Sequence, residues 1–140
     1  MTGLILAGGR GTRLRPHTEE IPKPLLEVGG KKILGHQIET LINEGVSPIL
    51  IVTGFLAEKI KTFVTESFPN QDFIFIHNSE YESSKPAFAI IKSLEHLMDE
   101  TLYLNGDVFY EPQILKEVIE NKNDSATAIQ KTNWDEEEVK

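Results

Sequence analysis

Short apolar runs separated by stretches of helical spacing constrain this chain more than any other feature. Leu4-Ile5-Leu6, Pro48-Ile49-Leu50-Ile51-Val52, Phe73-Ile74-Phe75-Ile76 and Leu102-Tyr103-Leu104 are short and mostly continuous in apolar character, as buried strands are. A weaker fifth run is Ala126-Thr127-Ala128-Ile129. Between them, Ile33, Ile38, Leu41 and Ile42 mark one face of a helix that Gly45 ends. Ile60, Phe63 and Val64 mark a second helix, with Glu58, Lys59, Lys61 and Glu66 as its wet side. Ile90, Ile91, Leu94, Leu97 and Met98 mark a third, and Ile114, Leu115, Val118 and Ile119 a fourth begun by Pro112. Strands apolar on both sides that alternate with helices predict an α/β fold, an open and mostly parallel sheet covered by helices on both faces. Core packing accounts for all of these apolar residues.

The first strand runs straight into glycine. Gly8, Gly9 and Gly11 follow Leu6-Ala7, and Arg10, Arg13 and Arg15 are threaded between and after them. Pro16 closes the loop, and Lys23 stands between Pro22 and Pro24, which are expected to hold the backbone extended on both sides. Glycines at a strand end let main-chain N–H groups approach an anion, and Arg13 and Lys23 supply charge for hydrogen bonds of roughly 1.5–3 kcal/mol each. The stretch reads as a phosphate cradle; a plain glycine-rich turn needs neither the arginines nor Pro-Lys-Pro. It is not a Walker loop, which requires Lys-Ser or Lys-Thr after the last glycine where Thr12-Arg13 stand. Nor is it a dinucleotide fingerprint, because Leu14 occupies the third small position and Thr53-Gly54-Phe55 leaves the second strand without an acidic residue.

Charge distribution narrows the ligand. The net charge of −8 argues against a general nucleic-acid binder, yet residues 1–36 carry six Lys/Arg against three acids. A local basic loop on an acidic chain suits a small polyanion such as a triphosphate. At 140 residues, 39% hydrophobic and 26% charged, the expectation is one globular domain able to bury about 70% of its unfolded surface. The lack of cysteine excludes disulfides and thiolate metal sites and fits a cytoplasmic setting. No apolar run approaches the roughly 18 residues of a membrane span, and a start with Gly3 and no basic lead does not read as a signal peptide.

A second constellation comes after the fourth strand, at Asn105-Gly106-Asp107-Val108. If the first and fourth strands flank the point where strand order reverses, Asp107 faces the glycine loop across the ligand crevice. A carboxylate beside a triphosphate is repelled unless a cation stands between them, and Mg²⁺ takes one or two carboxylates plus phosphate oxygens. Asp107 is therefore the candidate metal ligand; an aspartate in an ordinary Asn-Gly-Asp turn is the other reading. Asn78, at the end of the third strand, has an amide that both donates and accepts and suits a nucleobase edge, although strand-end asparagines also form turns. The histidines, His17, His36, His77 and His96, show no metal-ligand spacing, and Glu80 and Glu82 beside Tyr81 read as solvated loop residues.

GGRGTRL followed by PKPLL resembles the signature of the sugar-phosphate nucleotidyltransferases, which join a nucleoside triphosphate to a sugar 1-phosphate and release pyrophosphate. The bacterial choline-phosphate cytidylyltransferases share the pattern. The resemblance implies a Rossmann-like sheet and Mg²⁺ as cofactor. It implies nucleotide binding by Leu6, Ala7, Gly8, Gly9, Gly11, Thr12, Arg13, Lys23, Asn78 and Asp107, catalytic roles for Arg13 and Lys23, and metal binding by Asp107. The partners implied are a nucleoside triphosphate and a sugar 1-phosphate or related phosphorylated small molecule, with no nucleic acid and no membrane. Where the family enters its third helix through a small-residue or Asn-rich turn, this chain has Ser83-Ser84-Lys85-Pro86-Ala87-Phe88-Ala89, which leaves base preference open. The acidic stretch Trp134–Glu138 resembles one that precedes the acceptor-binding half in the family. Residues 1–140 are thus expected to be the nucleotide-binding part, without that half. Two alternatives to catalysis arise: a nucleotide-binding or regulatory module, and an inactive fragment whose exposed apolar flank drives self-association into a homo-oligomer.

Overall fold

The apolar runs become strands where the alternation places them. The computed structural model describes residues 1–83, 86–123 and 125–129. In chain order it contains β1 (Thr2–Leu6), β2 (Glu27–Val28), β3 (Lys31–Lys32), α1 (Ile33–Asn43), β4 (Ile49–Thr53), α2 (Ala57–Ser67), β5 (Phe73–His77), α3 (Pro86–Ser93), β6 (Thr101–Asn105) and α4 (Pro112–Ile119). The chain divides into two units, Met1–Phe109 and Tyr110–Lys140.

The first unit is an α/β layer structure. Four strands lie in the order β5-β4-β1-β6, each parallel to its neighbour. Leu4, Leu50 and Ile74 are level across three strands, as are Leu6, Val52 and Ile76. That face packs against Ala89 and Ile90 of α3 and Leu97 behind it. On the opposite face Leu41 of α1 and Val46 close over Gly3, and Phe63 of α2 lies on Gly35 of α1. Beyond α2, Phe68 meets Phe73 edge-on at 6.1 Å. Helices therefore stand on both faces, as the alternation predicts. The helix ends also agree: Gly45, with φ +70°, follows α1. β2 and β3 form a two-residue antiparallel hairpin that the apolar pattern does not announce.

Strand order reverses at β1. The chain steps outward from β1 to β4 and β5, then returns to lay β6 on the other side. The carboxyl ends of β1 and β6 flank this reversal, the place where open parallel sheets bind ligands.

Three expectations are corrected. α3 stops at Ser93, whose hydroxyl donates to the Ala89 carbonyl at 2.8 Å, and Leu94–His96 tightens into a 3-10 turn. Leu94 and Met98, beyond that end, are more than half exposed, and Ile91 lies on the outer face of α3 itself, 61% exposed, rather than joining the core. On β6, Leu102 and Leu104 are buried but Tyr103 is 43% exposed, because α3 covers β1 and β4 and β6 is a sheet edge among the described residues. Ala126–Ile129 carries no strand and is exposed; its small apolar area gives a strand little to bury. Ser84, Lys85 and the acidic stretch at 134–138 lie outside the described residues. In the second unit, α4 has Pro112 in its first turn, as expected, and a buried Leu115. Among the described residues no helix is long and apolar enough to cross a membrane.

Candidate functional site

β1 ends by continuing its ladder one step further, the Ala7 N–H donating to the Val52 carbonyl at 2.8 Å. The loop then crosses the end of β4, where Gly8 O accepts the Phe55 N–H at 3.0 Å. Gly11 turns the chain in the left-handed region, φ +62°, which side chains disfavour, and opens a 3-10 turn at Thr12–Leu14. Its carbonyl accepts from Leu14 N at 2.9 Å and from the hydroxyl of the buried Thr18 at 2.7 Å. Pro22 is extended, ψ 137°, but the expectation of extended backbone beyond it is overturned. Lys23–Leu25 forms a second 3-10 turn, closed by Leu25 N to Pro22 O at 2.8 Å. Proline's fixed φ is as compatible with such a turn as with an extended strand.

The carboxyl end of β6 comes to this loop from the far side. Gly106 N donates to Leu6 O at 2.9 Å, and a Cβ on Gly106 would stand 2.5 Å from that oxygen, so only glycine passes. Asp107 follows directly, and Lys23 Nζ lies 2.5 Å from its Oδ2. Both side chains are partly accessible, 26% for Lys23 and 41% for Asp107. Tyr103 donates its hydroxyl to Asn105 Oδ1 at 3.0 Å. Partial burial, and second the charge of Asp107, raise the Tyr103 pKa above its ordinary 10.0.

A crevice of about 330 Å³ opens between these segments, at the lower end for small-molecule sites. Of the residues singled out in the sequence, Leu6, Gly8, Gly9, Gly11, Thr12, Arg13, Lys23, Asn78 and Asp107 line it. Ala7 does not: it is 1% exposed and sits behind the loop. Asn78 is 5% exposed, and its Oδ1 accepts the Glu80 N–H at 3.1 Å, so that oxygen serves a turn as well as facing the crevice. Arg10 leaves the loop to pair with Glu82 at 2.8 Å, its guanidinium 5.4 Å from the Phe55 ring centre.

Sequence reasoning missed three neighbours of the site. Tyr81 lines the crevice and packs on Gly54; the only sequence signal is an aromatic between two glutamates past a strand end. Glu82 is not simply solvated, since it holds Arg10. Gln37 of α1, fully buried, donates from Nε2 to Asn105 O and Val108 O, each at 2.8 Å.

Among the described residues no group of three or more acidic or histidine side chains could hold a metal, and Asp107 is the one acid lining the crevice. A single hard carboxylate oxygen beside backbone donors fits Mg²⁺ that takes its remaining ligands from phosphate and water, rather than an all-protein cage.

A parallel sheet whose order reverses over a glycine loop, with a lysine and an aspartate meeting across it, defines an α/β domain with a glycine-lined crevice at its switch point. The Nucleotidyl transferase family profile matches residues 2–139, and the chain belongs to that family. It is 30% identical over 139 residues to the UTP–glucose-1-phosphate uridylyltransferase AglF of Haloferax volcanii, covering 97% of this chain and 56% of that protein. The solved CTP:phosphocholine cytidylyltransferase LicC of Streptococcus pneumoniae is similar with TM-score 0.68 and 31% identity, over 76% of this chain and 44% of the other. A putative glucose-1-phosphate thymidylyltransferase of Bacillus anthracis, solved in complex with a sucrose, gives TM-score 0.72 and 25% identity over 87% and 51% of the two chains. The chain thus spans about half the length of each of these three relatives.

Proposed function

We propose that this chain is the nucleotide-binding part of a Mg²⁺-dependent nucleotidyltransferase. In that reading the protein transfers a nucleoside monophosphate from a nucleoside triphosphate to a sugar 1-phosphate or similar phosphorylated small molecule. An oxygen of the acceptor phosphate bonds to the α-phosphorus, the bond from that phosphorus to the bridging oxygen breaks, and the electron pair leaves with pyrophosphate. No protein nucleophile is required; the residues position and neutralise.

The observation that carries this reading is the meeting of Lys23 and Asp107 beside the loop of Gly8, Gly9 and Gly11. Main-chain N–H groups of that loop and of Thr12 hold phosphate oxygens. Arg13, exposed on the crevice wall, balances charge on the departing pyrophosphate, and Lys23 meets the α-phosphate or the incoming phosphate. Asp107 holds the Mg²⁺, which when bound supplies Lewis acidity at the phosphoryl oxygens. The names of the uridylyl- and cytidylyltransferase relatives support this reaction class.

A second reading, nucleotide binding without catalysis by these residues alone, is favoured by the single acid lining the crevice. One experiment separates the two: pyrophosphate release from each of the four nucleoside triphosphates, with a panel of sugar and amino-alcohol phosphates. Release with one pairing supports transfer. Tight Mg-dependent nucleotide binding with no release supports the second reading.

A further inference from the structure

We propose that Gln37 is a positioning residue for the Asp107 carboxylate, acting through the turn that carries it. The inference rests on the reading of Asp107 as the metal ligand. Asp107 sits in a turn whose two ends are held from different elements. On one side Gly106 N donates to Leu6 O of β1. On the other, the Gln37 amide reaches from α1 to Asn105 O and Val108 O, the two carbonyls that bracket Gly106 and Asp107, at 2.8 Å each. Asn105 O also accepts the Val108 N–H at 3.2 Å, which closes the turn. The turn that carries the carboxylate is thereby held by a side chain 68 and 71 positions from the carbonyls it binds and outside the lining of the crevice.

The chemistry of the amide argues for this role over simple packing. Gln37 is 0% exposed, and its Oε1 has no hydrogen-bond partner among the described residues. A buried acceptor without a donor destabilises the fold. Rotating the amide would not help, because Oε1 would then face two carbonyl oxygens. A leucine or methionine would remove the orphaned atom and fill similar volume, whereas a glutamate would set a carboxylate against two carbonyls. Among uncharged side chains, only an amide of this length offers two N–H donors there, so the side chain is explained by what its donors hold. Groups that orient a metal ligand typically alter metal affinity about 10–100-fold when removed.

The test uses the full chain and the Gln37→Met and Asp107→Asn variants. Affinity for the tightest-binding of the four nucleoside triphosphates is measured by calorimetry with Mg²⁺ and again in chelator. Backbone hydrogen exchange at Asp107 and Val108 is read on the metal-free proteins. Gln37→Met is expected to melt cooperatively, to keep its affinity in chelator, and to lose about 10–100-fold of the strengthening by Mg²⁺. It is also expected to exchange faster at residues 107 and 108. Gln37→Leu, also apolar and of similar volume, is expected to do the same and replaces the methionine variant should that fail to fold. If Asp107→Asn abolishes the Mg²⁺ effect while both Gln37 variants retain it, with unchanged exchange, the positioning role is overturned. If Asp107→Asn leaves the Mg²⁺ effect intact, the metal assignment itself fails.

Discussion

Lys23 and Asp107 are 84 positions apart in sequence and meet at 2.5 Å. Their pairing contributes little to stability, on the order of 1 kcal/mol or less, because both side chains remain partly solvated. Its weight lies in the proposed role, where a cation and a carboxylate stand together beside the glycine loop. Lys23→Ala and Arg13→Ala are accordingly expected to leave the thermal unfolding midpoint almost unchanged. Each is expected to weaken Mg-triphosphate binding about tenfold to a hundredfold, the worth of one charge-assisted hydrogen bond. Calorimetric titration beside a melting curve checks both parts. Tyr103 offers a probe of the same carboxylate. Its raised pKa means the folded chain keeps the phenol proton to higher pH than the unfolded chain does. The stability this contributes is complete below pH 10.0 and is lost as pH climbs through the raised value. In Asp107→Asn the smaller of the two causes disappears, so phenolate absorbance should move part of the way back toward the ordinary value. Tyr103→Phe identifies the signal against Tyr81 and Tyr110.

At the scale of elements, the site is a consequence of parallel strands that deliver their carboxyl ends to one rim. Gly106 is the tightest point, since a methyl group there would press on Leu6 O at 2.5 Å and push β6 from β1. Gly106→Ala is expected to cost about 1–3 kcal/mol in urea denaturation and to weaken nucleotide binding by displacing Asp107. This convergence is legible in the sequence: short apolar runs separated by helices dictate parallel pairing, and parallel pairing gathers the loops that leave the strand ends. The side chains that support it are not. Gln37 interrupts the apolar face of α1 and reads as a polar defect, because its partners are carbonyls fixed only by the fold. The Arg10–Glu82 pair is likewise invisible, since a loop arginine and a loop glutamate carry no shared periodicity. The third helix departs from its apolar pattern for a different reason. Ile91, Leu94 and Met98 keep helical spacing, but the helix ends at Ser93, so Leu94 and Met98 leave its face, while Ile91 is exposed on the helix itself.

At the scale of the molecule, the chain covers about half the length of AglF and of the two solved relatives and holds a crevice in its first unit. Ile91, Leu94, Met98 and Tyr103 are apolar or aromatic side chains left exposed in that unit. The proposed role is narrower than the whole reaction: one crevice would grip a triphosphate through backbone donors, Arg13 and Lys23, with Asp107 as the Mg²⁺ ligand. Titrating a nucleoside triphosphate into the chain and into Asp107→Asn, with and without Mg²⁺, tests it most directly. The account predicts binding strengthened by Mg²⁺ in the parent chain and little affected by it in the variant. Equal strengthening in both, or no binding to either, would contradict it.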